Sequence, residues 1–185
     1  MLYITFTISN KEKFTHFQRL YAHLVTLRTP GFSFEVDLES VDWATISDEE
    51  EALLFDQDLR QEKRYTDFFP SYAQDVIARY FQHDNEKLGP LGIQEVISIM
   101  SYLEYDFEVA LDALEQRVED SGIVQFSTGN YPYGGMERFL VVLKAFDLIP
   151  TECFNGFTVY EFDWTSEFEH NAIDLPEKTK EYVSK

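Results

Sequence analysis

Cysteine is almost missing from this sequence: Cys153 is the only one among 185 residues. A single cysteine cannot form an internal disulfide or the cysteine pairs that hold structural zinc. No apolar run approaches the ~18 residues of a membrane-spanning helix. The first residues alternate apolar and polar side chains, which is not the pattern of a secretory signal. We therefore expect a cytoplasmic protein.

Basic residues are scarce relative to acids. Only 15 Lys and Arg accompany 34 Asp and Glu, which gives a net charge of −19. Such a chain repels nucleic-acid phosphates and anionic lipid headgroups, so direct binding to nucleic acid or membranes is not expected. The imbalance is uneven, because residues 35–58 hold ten acids and no Lys or Arg. This distribution predicts attraction to a basic protein surface.

Catalytic and metal-binding signatures are missing as well. The sequence contains no G-x-S-x-G or H-E-x-x-H motif. His16 and His23 are about 10 Å apart along a predicted helix, which is too far for two ligands of one metal ion. Four further residues of the types that bind metals lie in a segment predicted to be a flexible tail: Glu167, Glu169, His170 and Asp174. We predict neither a metal nor a cofactor.

Apolar residues are plentiful, in contrast. Hydrophobic residues make up 44% of the chain and aromatic residues 16%. This content is enough to form a packed core despite the high charge. The length suits one domain, which we place at residues 1–164, followed by a flexible tail at 165–185.

The N-terminal half shows strand and helix periodicities in turn. Alternation over residues 2–8 predicts a strand, and a helix follows to about Leu27, with Ser9 and Glu12 as a capping box. A short strand is predicted over residues 32–38. Residues 39–92 are predicted to be a helical insertion, in which Ser47 and Glu50 form a second capping box.

The C-terminal half alternates in the same way. Residues 97–105 alternate like a strand, although a helix is also compatible with this segment. The following predictions are a helix from Asp106 to Val118, a strand at 123–127, a helix at 136–146 and a strand at 157–164. Together these elements predict an α+β domain with helices on one face of a mixed sheet. The leading topology is a ferredoxin-like core with a helical insertion.

A row of acids marks the predicted helix after Asp106. Its members recur at spacings of four, three and four residues, which places one carboxylate per turn on a single face: Glu108, Asp112, Glu115 and Glu119. Like charges at these spacings destabilise a helix by ~0.2–0.5 kcal/mol per pair. The row is either a solubilising surface or a recognition face for a basic partner.

A glycine-rich loop precedes the predicted helix at 136–146. Its candidate contact residues are Gly129, Asn130, Tyr131, Tyr133, Gly134 and Gly135. Glycines before a helix N-terminus can cradle an anion, but Gly135 and Met136 stand where a phosphate loop needs Lys and then Ser or Thr. The leading interpretation is a shaped turn, with a contact loop and a phosphate site as alternatives.

Three functions remain open at this point. The first is a non-enzymatic acidic protein that binds a basic protein, as immunity proteins and DNA mimics do; that likeness is one of charge and size only. The second is a small enzyme with its site near the Gly129–Gly135 loop. The third is an accessory domain without autonomous activity.

Overall fold

The computed structural model of the chain describes residues 1–35, 37–84, 93–127 and 136–184. Within them, the strands are β1 (Leu2–Ile8), β2 (Ala110–Val118), β3 (Ser121–Ser127), β4 (Leu148–Phe154), β5 (Val159–Trp164) and β6 (His170–Asp174). The α-helices are α1 (Lys11–Leu27), α2 (Asp48–Phe55), α3 (Gln57–Phe68), α4 (Ser71–Asp84), α5 (Ile93–Ser101), α6 (Glu137–Ala145) and α7 (Pro176–Val183). No helix in these ranges has both the length and the apolarity needed to cross a bilayer.

The strands form one sheet in the order β2-β3-β1-β4-β5-β6. Every pairing among the described strands is antiparallel, so the sheet is not of the predicted mixed type. The α+β class is confirmed. The units β1-α1-β2-β3-α6-β4 have the connectivity and strand order of a ferredoxin-like core. Helices α2 to α5 are inserted between α1 and β2, and β5 and β6 extend the sheet.

The main core lies between one face of the sheet and most of the helices. Strand β1 contributes Ile4 and Phe6 to it, and neither side chain is exposed. Phe17 of α1 lies 6.5 Å from Phe139 and 5.6 Å from Phe146 between ring centroids. Aromatic packing therefore joins α1 to α6 over the centre of the sheet.

A smaller apolar cluster covers part of the opposite face. Tyr182 of α7 lies 5.1 Å from Tyr3 and 4.7 Å from Phe154 between ring centroids. Its hydroxyl donates a hydrogen bond to the carbonyl of Met1. Helices thus occupy both faces of the sheet. The segment predicted as a flexible tail from residue 165 instead contains β6, which pairs with β5, and α7, whose Tyr182 packs on Tyr3 of β1.

The strand favoured for residues 97–105 is not found; the helical alternative is. Residues 97–105 belong to α5 and to a π-helical turn, Tyr102–Asp106. This segment is buried through Ile97, Ile99, Met100 and Leu103, so its apolar residues satisfy both a helical and an alternating pattern.

The predicted helix from Asp106 to Val118 is a strand, β2. The register of β2 against β3 shifts at Asp112, so Leu111 lies opposite Phe126 and Leu114 lies opposite Val124. A β-bulge thereby places two leucines three residues apart on the same face of the sheet. That spacing imitates the periodicity of a helix.

Smaller corrections concern the element ends. Residues 32–35 form no strand. Helix α1 is capped by Asn10 rather than by the predicted Ser9, and Asn10 accepts hydrogen bonds from the amides of Glu12 and Lys13. The capping box of Ser47 and Glu50 is confirmed. Strand β4 was not predicted, because Pro150 was interpreted as the end of the preceding helix. Pro150 lies where the register of β1 against β4 shifts, a position that tolerates proline.

A buried ion pair joins the helical insertion to α1. The carboxylate of Glu104 has no exposed area and accepts hydrogen bonds from Arg64 Nε at 2.7 Å and Nη2 at 2.9 Å. His23 Nε2 lies 3.2 Å from the same carboxylate. Burial raises the pKa of Glu104, but the hydrogen bonds from His23 and Arg64 outweigh burial and hold it below the usual value. We call this arrangement the Glu104 clamp.

Candidate functional site

The acid row predicted on a helix lies instead along the edge strand β2. Glu108 precedes the strand, Asp112 and Glu115 lie on it, and all are exposed. Glu119 lies in the turn to β3 and forms an ion pair with Lys11 at 2.8 Å. A strand rises ~3.3 Å per residue, so the acids are about twice as far apart as on a helix. The structure does not bring them together as a dense charged face.

A denser concentration of acids lies on residues 35–58. Each of its ten acids is exposed: Glu35, Asp37, Glu39, Asp42, Asp48, Glu49, Glu50, Glu51, Asp56 and Asp58. Within the described residues, none of them forms an ion pair with Lys or Arg. The guanidinium of nearby Arg60 donates to the carbonyl of Leu54 at 2.8 Å. Arg64 is held by Glu104. The charge of this segment is therefore left facing solvent.

Some of these acids have local structural roles. Asp37, Asp42 and Asp56 each accept a hydrogen bond from a backbone amide two residues further on. Hydrogen bonds from the amide and hydroxyl of Ser47 lower the pKa of Glu50. Acids in the first turn of α2 also stabilise this helix, because their negative charge interacts favourably with the positive end of the helix dipole. Capping explains several positions, whereas Glu35 and Glu39 lie outside any α-helix.

Two large aromatic side chains are exposed among the acids. Trp43 is 50% exposed and Phe55 is 64% exposed, and their rings stack at 6.2 Å between centroids. This contact holds the loop before α2 against the end of α2. It also brings their sequence neighbours Asp42 and Asp56 to the same part of the surface. We call the ten acids with Trp43 and Phe55 the acidic surface.

The predicted contact loop cannot be placed. Its residues Gly129, Asn130, Tyr131, Tyr133, Gly134 and Gly135 all lie outside the described residues. The described structure resumes at Met136, which is buried, and Glu137 in the first turn of α6 is exposed.

A cleft of about 510 Å³ lies beside the first turns of α6. Its walls come from α4, α6 and the hairpin between β5 and β6, and we call it the α4–α6 cleft. Leu140 and Val141 form an apolar floor, with Tyr80 and Phe168 beside them. The polar lining includes His83, Glu137, Glu169 and His170. His83 Nε2 lies 3.8 Å from Glu169 Oε1, so α4 and the hairpin approach each other across the cleft.

Cationic side chains fix the hairpin that forms one wall of the cleft. Arg79 donates to both carboxylate oxygens of Glu167, at 2.7 and 3.3 Å. Lys144 donates to the Glu167 carbonyl, and its ammonium lies 3.5 Å from the centre of the Trp164 ring. Burial lowers the pKa of Lys144 to about 8, against the opposing effect of Glu167. Both cations are therefore engaged with the hairpin itself.

Sequence reasoning did not identify the aromatic residues of the acidic surface or the lining of the α4–α6 cleft. The acid count identified residues 35–58, but the recognition face was placed on the acids from Glu108 to Glu119, and the exposure of Trp43 and Phe55 was not predicted. The cleft unites residues from 80 to 171, and its topology depends on β6, which was predicted as tail. Cys153 is fully buried, and burial raises the pKa of its thiol to about 12.

Comparisons with protein-family models, curated proteins and solved structures find no match to this chain.

Proposed function

We propose that the protein is a non-enzymatic, cytoplasmic binding protein that engages a basic protein through the acidic surface. The observation that carries this proposal is the exposed stack of Trp43 and Phe55 within a segment of ten exposed acids that has no Lys or Arg. Charge and aromatic exposure occur there together, which solubility alone does not require.

The charges and the rings have different roles in this proposal. Exposed carboxylates accelerate the encounter with a basic surface and contribute less to the lifetime of the complex. Buried aromatic anchors carry much of the affinity of protein interfaces. Trp43 and Phe55 therefore hold the partner, and the acids around them attract and orient it.

The test compares two charge-neutralising variants. The first changes three acids of the acidic surface, as Glu39→Gln, Glu49→Gln and Glu51→Gln, and leaves the Ser47–Glu50 cap intact. The second removes the same charge from the edge strand, as Glu108→Gln, Asp112→Asn and Glu115→Gln. Partners captured from native lysate at low and moderate salt are identified with the parent chain. Their association and dissociation rates are then measured with each variant.

We expect the first variant to slow association by about tenfold at low salt, and the second to change it little. Trp43→Ala should accelerate dissociation and weaken binding by about 30-fold, the effect of losing ~2 kcal/mol at an anchor. Equal effects of the two charge variants, together with an unchanged dissociation rate for Trp43→Ala, would show that the acidic surface is solvation only. A dominant effect of the edge-strand variant would move the site to Glu108, Asp112 and Glu115.

A small enzyme is the second candidate function, and the α4–α6 cleft is the observation that favours it. The cleft adjoins the first turn of α6, directly after the Gly129–Gly135 loop in sequence, and places His83 within 3.8 Å of Glu169. Imidazole and carboxylate groups are the usual carriers of acid–base chemistry. A turnover abolished by His83→Gln but not by Trp43→Ala would favour the enzyme over the binding protein.

A further inference from the structure

The α4–α6 cleft combines an apolar floor with acids at its walls. Leu140 is 3% exposed and Val141 is 4% exposed, so the floor is part of the main core. A volume of about 510 Å³ falls within the ~300–1,000 Å³ typical of small-molecule sites. Beside this floor, Tyr80 and Phe168 are only partly buried, so their rings leave apolar surface for the body of a small ligand.

The polar lining determines the sign of the ligand's charge. Glu137 on α6 and Glu169 on the hairpin contribute carboxylates from two different walls. Arg79 is paired with the carboxylate of Glu167, whereas Lys144 donates to its backbone carbonyl and contributes to the lowered pKa of His170. Burial lowers the pKa of His170 and thereby favours its neutral form, although Glu137 has the opposite effect. The net charge of the lining is negative at neutral pH, as is that of the chain.

Aromatic side chains around the cleft also suit a cation. The ammonium of Lys144 lies 3.5 Å from the centre of the Trp164 ring, so one face of that ring is already in contact with a cation of the protein. Tyr80 and Phe168 add two more rings, 5.5 Å apart between centroids.

We propose that the α4–α6 cleft binds a small amine with an aromatic or alkyl body. The body lies against the rings of Tyr80 and Phe168, above Leu140 and Val141, and the ammonium faces the carboxylates of Glu137 and Glu169. This site is separate from the acidic surface, so either proposal can fail without the other.

Three probes of similar size and different charge test the proposal by calorimetry on the parent chain. They are 2-phenylethylamine, 2-phenylethanol and 3-phenylpropionate, which are cationic, neutral and anionic at neutral pH. We expect saturable binding in the order amine, alcohol, carboxylate. The amine should be favoured over the alcohol by at least about twofold, since each partly exposed ion pair contributes ~0.2–1 kcal/mol.

Variants locate the binding in the cleft. The double variant Glu137→Gln and Glu169→Gln should remove the preference for the amine and leave the affinity for the alcohol unchanged. Glu108→Gln, an exposed acid outside the cleft, is the matched control and should preserve the preference. In a Trp43→Phe background, Trp164 is the remaining tryptophan of the two in the chain, and its fluorescence reports occupancy at the cleft wall. Trp43 is half exposed, so this background should fold.

Several results would overturn the proposal. Absence of saturable amine binding, equal affinity for amine and alcohol, or preference for the carboxylate would each exclude a site for amines. An amine preference that survives the double variant, or that leaves Trp164 fluorescence unchanged, would place the binding elsewhere on the acidic chain.

Discussion

Replacing Glu104 with glutamine tests whether the Glu104 clamp stabilises the fold. The variant keeps the size of the side chain and one acceptor oxygen, but it removes the charge that faces Arg64. The carboxylate has no exposed area and the Arg64 side chain is only 17% exposed, so water cannot fully replace the lost partner. Breaking one side of a buried ion pair costs about 3–5 kcal/mol, and the retained acceptor places Glu104→Gln near 3 kcal/mol.

Thermal and urea unfolding of the parent and the variant measure this cost. For a chain of this length, a loss of ~3 kcal/mol lowers Tm by about 6–12 °C. Glu167→Gln provides the control, because the Glu167 and Arg79 side chains are about half exposed and their pair should contribute less than ~1 kcal/mol. A Glu104→Gln variant as stable as Glu167→Gln would refute the reasoning that burial makes the clamp strong.

Acidification gives a second readout of the same clamp. The folded-state pKa of Glu104 is lowered, so its contribution to stability is complete above the pKa of the unfolded chain. That contribution is lost as the pH falls through the lowered folded-state value. The parent should therefore lose its stability advantage over Glu104→Gln in acid, and the two Tm values should converge. Parallel Tm profiles down to strongly acidic pH would contradict this assignment.

Two further predictions follow from single contacts. Gly122→Ala should lower the free energy of unfolding in urea by about 1–3 kcal/mol, because a Cβ at this position would lie 2.5 Å from a ring carbon of buried Phe6. A variant as stable as the parent would show that the ring can move aside. When the rate of lysine acylation is measured against pH by mass spectrometry, the rate for Lys144 should reach half of its maximum near pH 8. Lys178 should react at higher pH, because its hydrogen bond to Glu152 raises its pKa. A common midpoint for the two lysines would contradict the burial of Lys144.

Local patterns predicted several central elements of the fold well. Strand β1, helix α1 and helix α6 each have one clear periodicity, and each forms close to its predicted bounds. The strand predicted at 157–164 is also found, as β5. Strand β1 and helix α1 are amphipathic, so their own sequence indicates which face turns inward, whereas α6 is buried on nearly every side.

Predictions failed where tertiary contacts decide the conformation. The bulge at Asp112 gives β2 a helix-like spacing, and only pairing with β3 reveals it as a strand. Segment 97–105 is buried on several sides and has no single apolar face to read. The α4–α6 cleft joins residues that are distant in sequence, so no local motif marks it.

The position of β1 at the centre of the sheet has a consequence for synthesis. Its neighbours are β3 and β4, and all of α1 and the helical insertion is translated before Ser121, where β3 begins. At ~5–20 residues per second, roughly 6–23 s pass between the synthesis of Ile8 and that of Ser121. During this interval the apolar residues of β1 have no sheet partner to cover them. The nascent chain thus exposes an aggregation-prone strand early, and the time that chaperones must protect it is set by the length of the insertion.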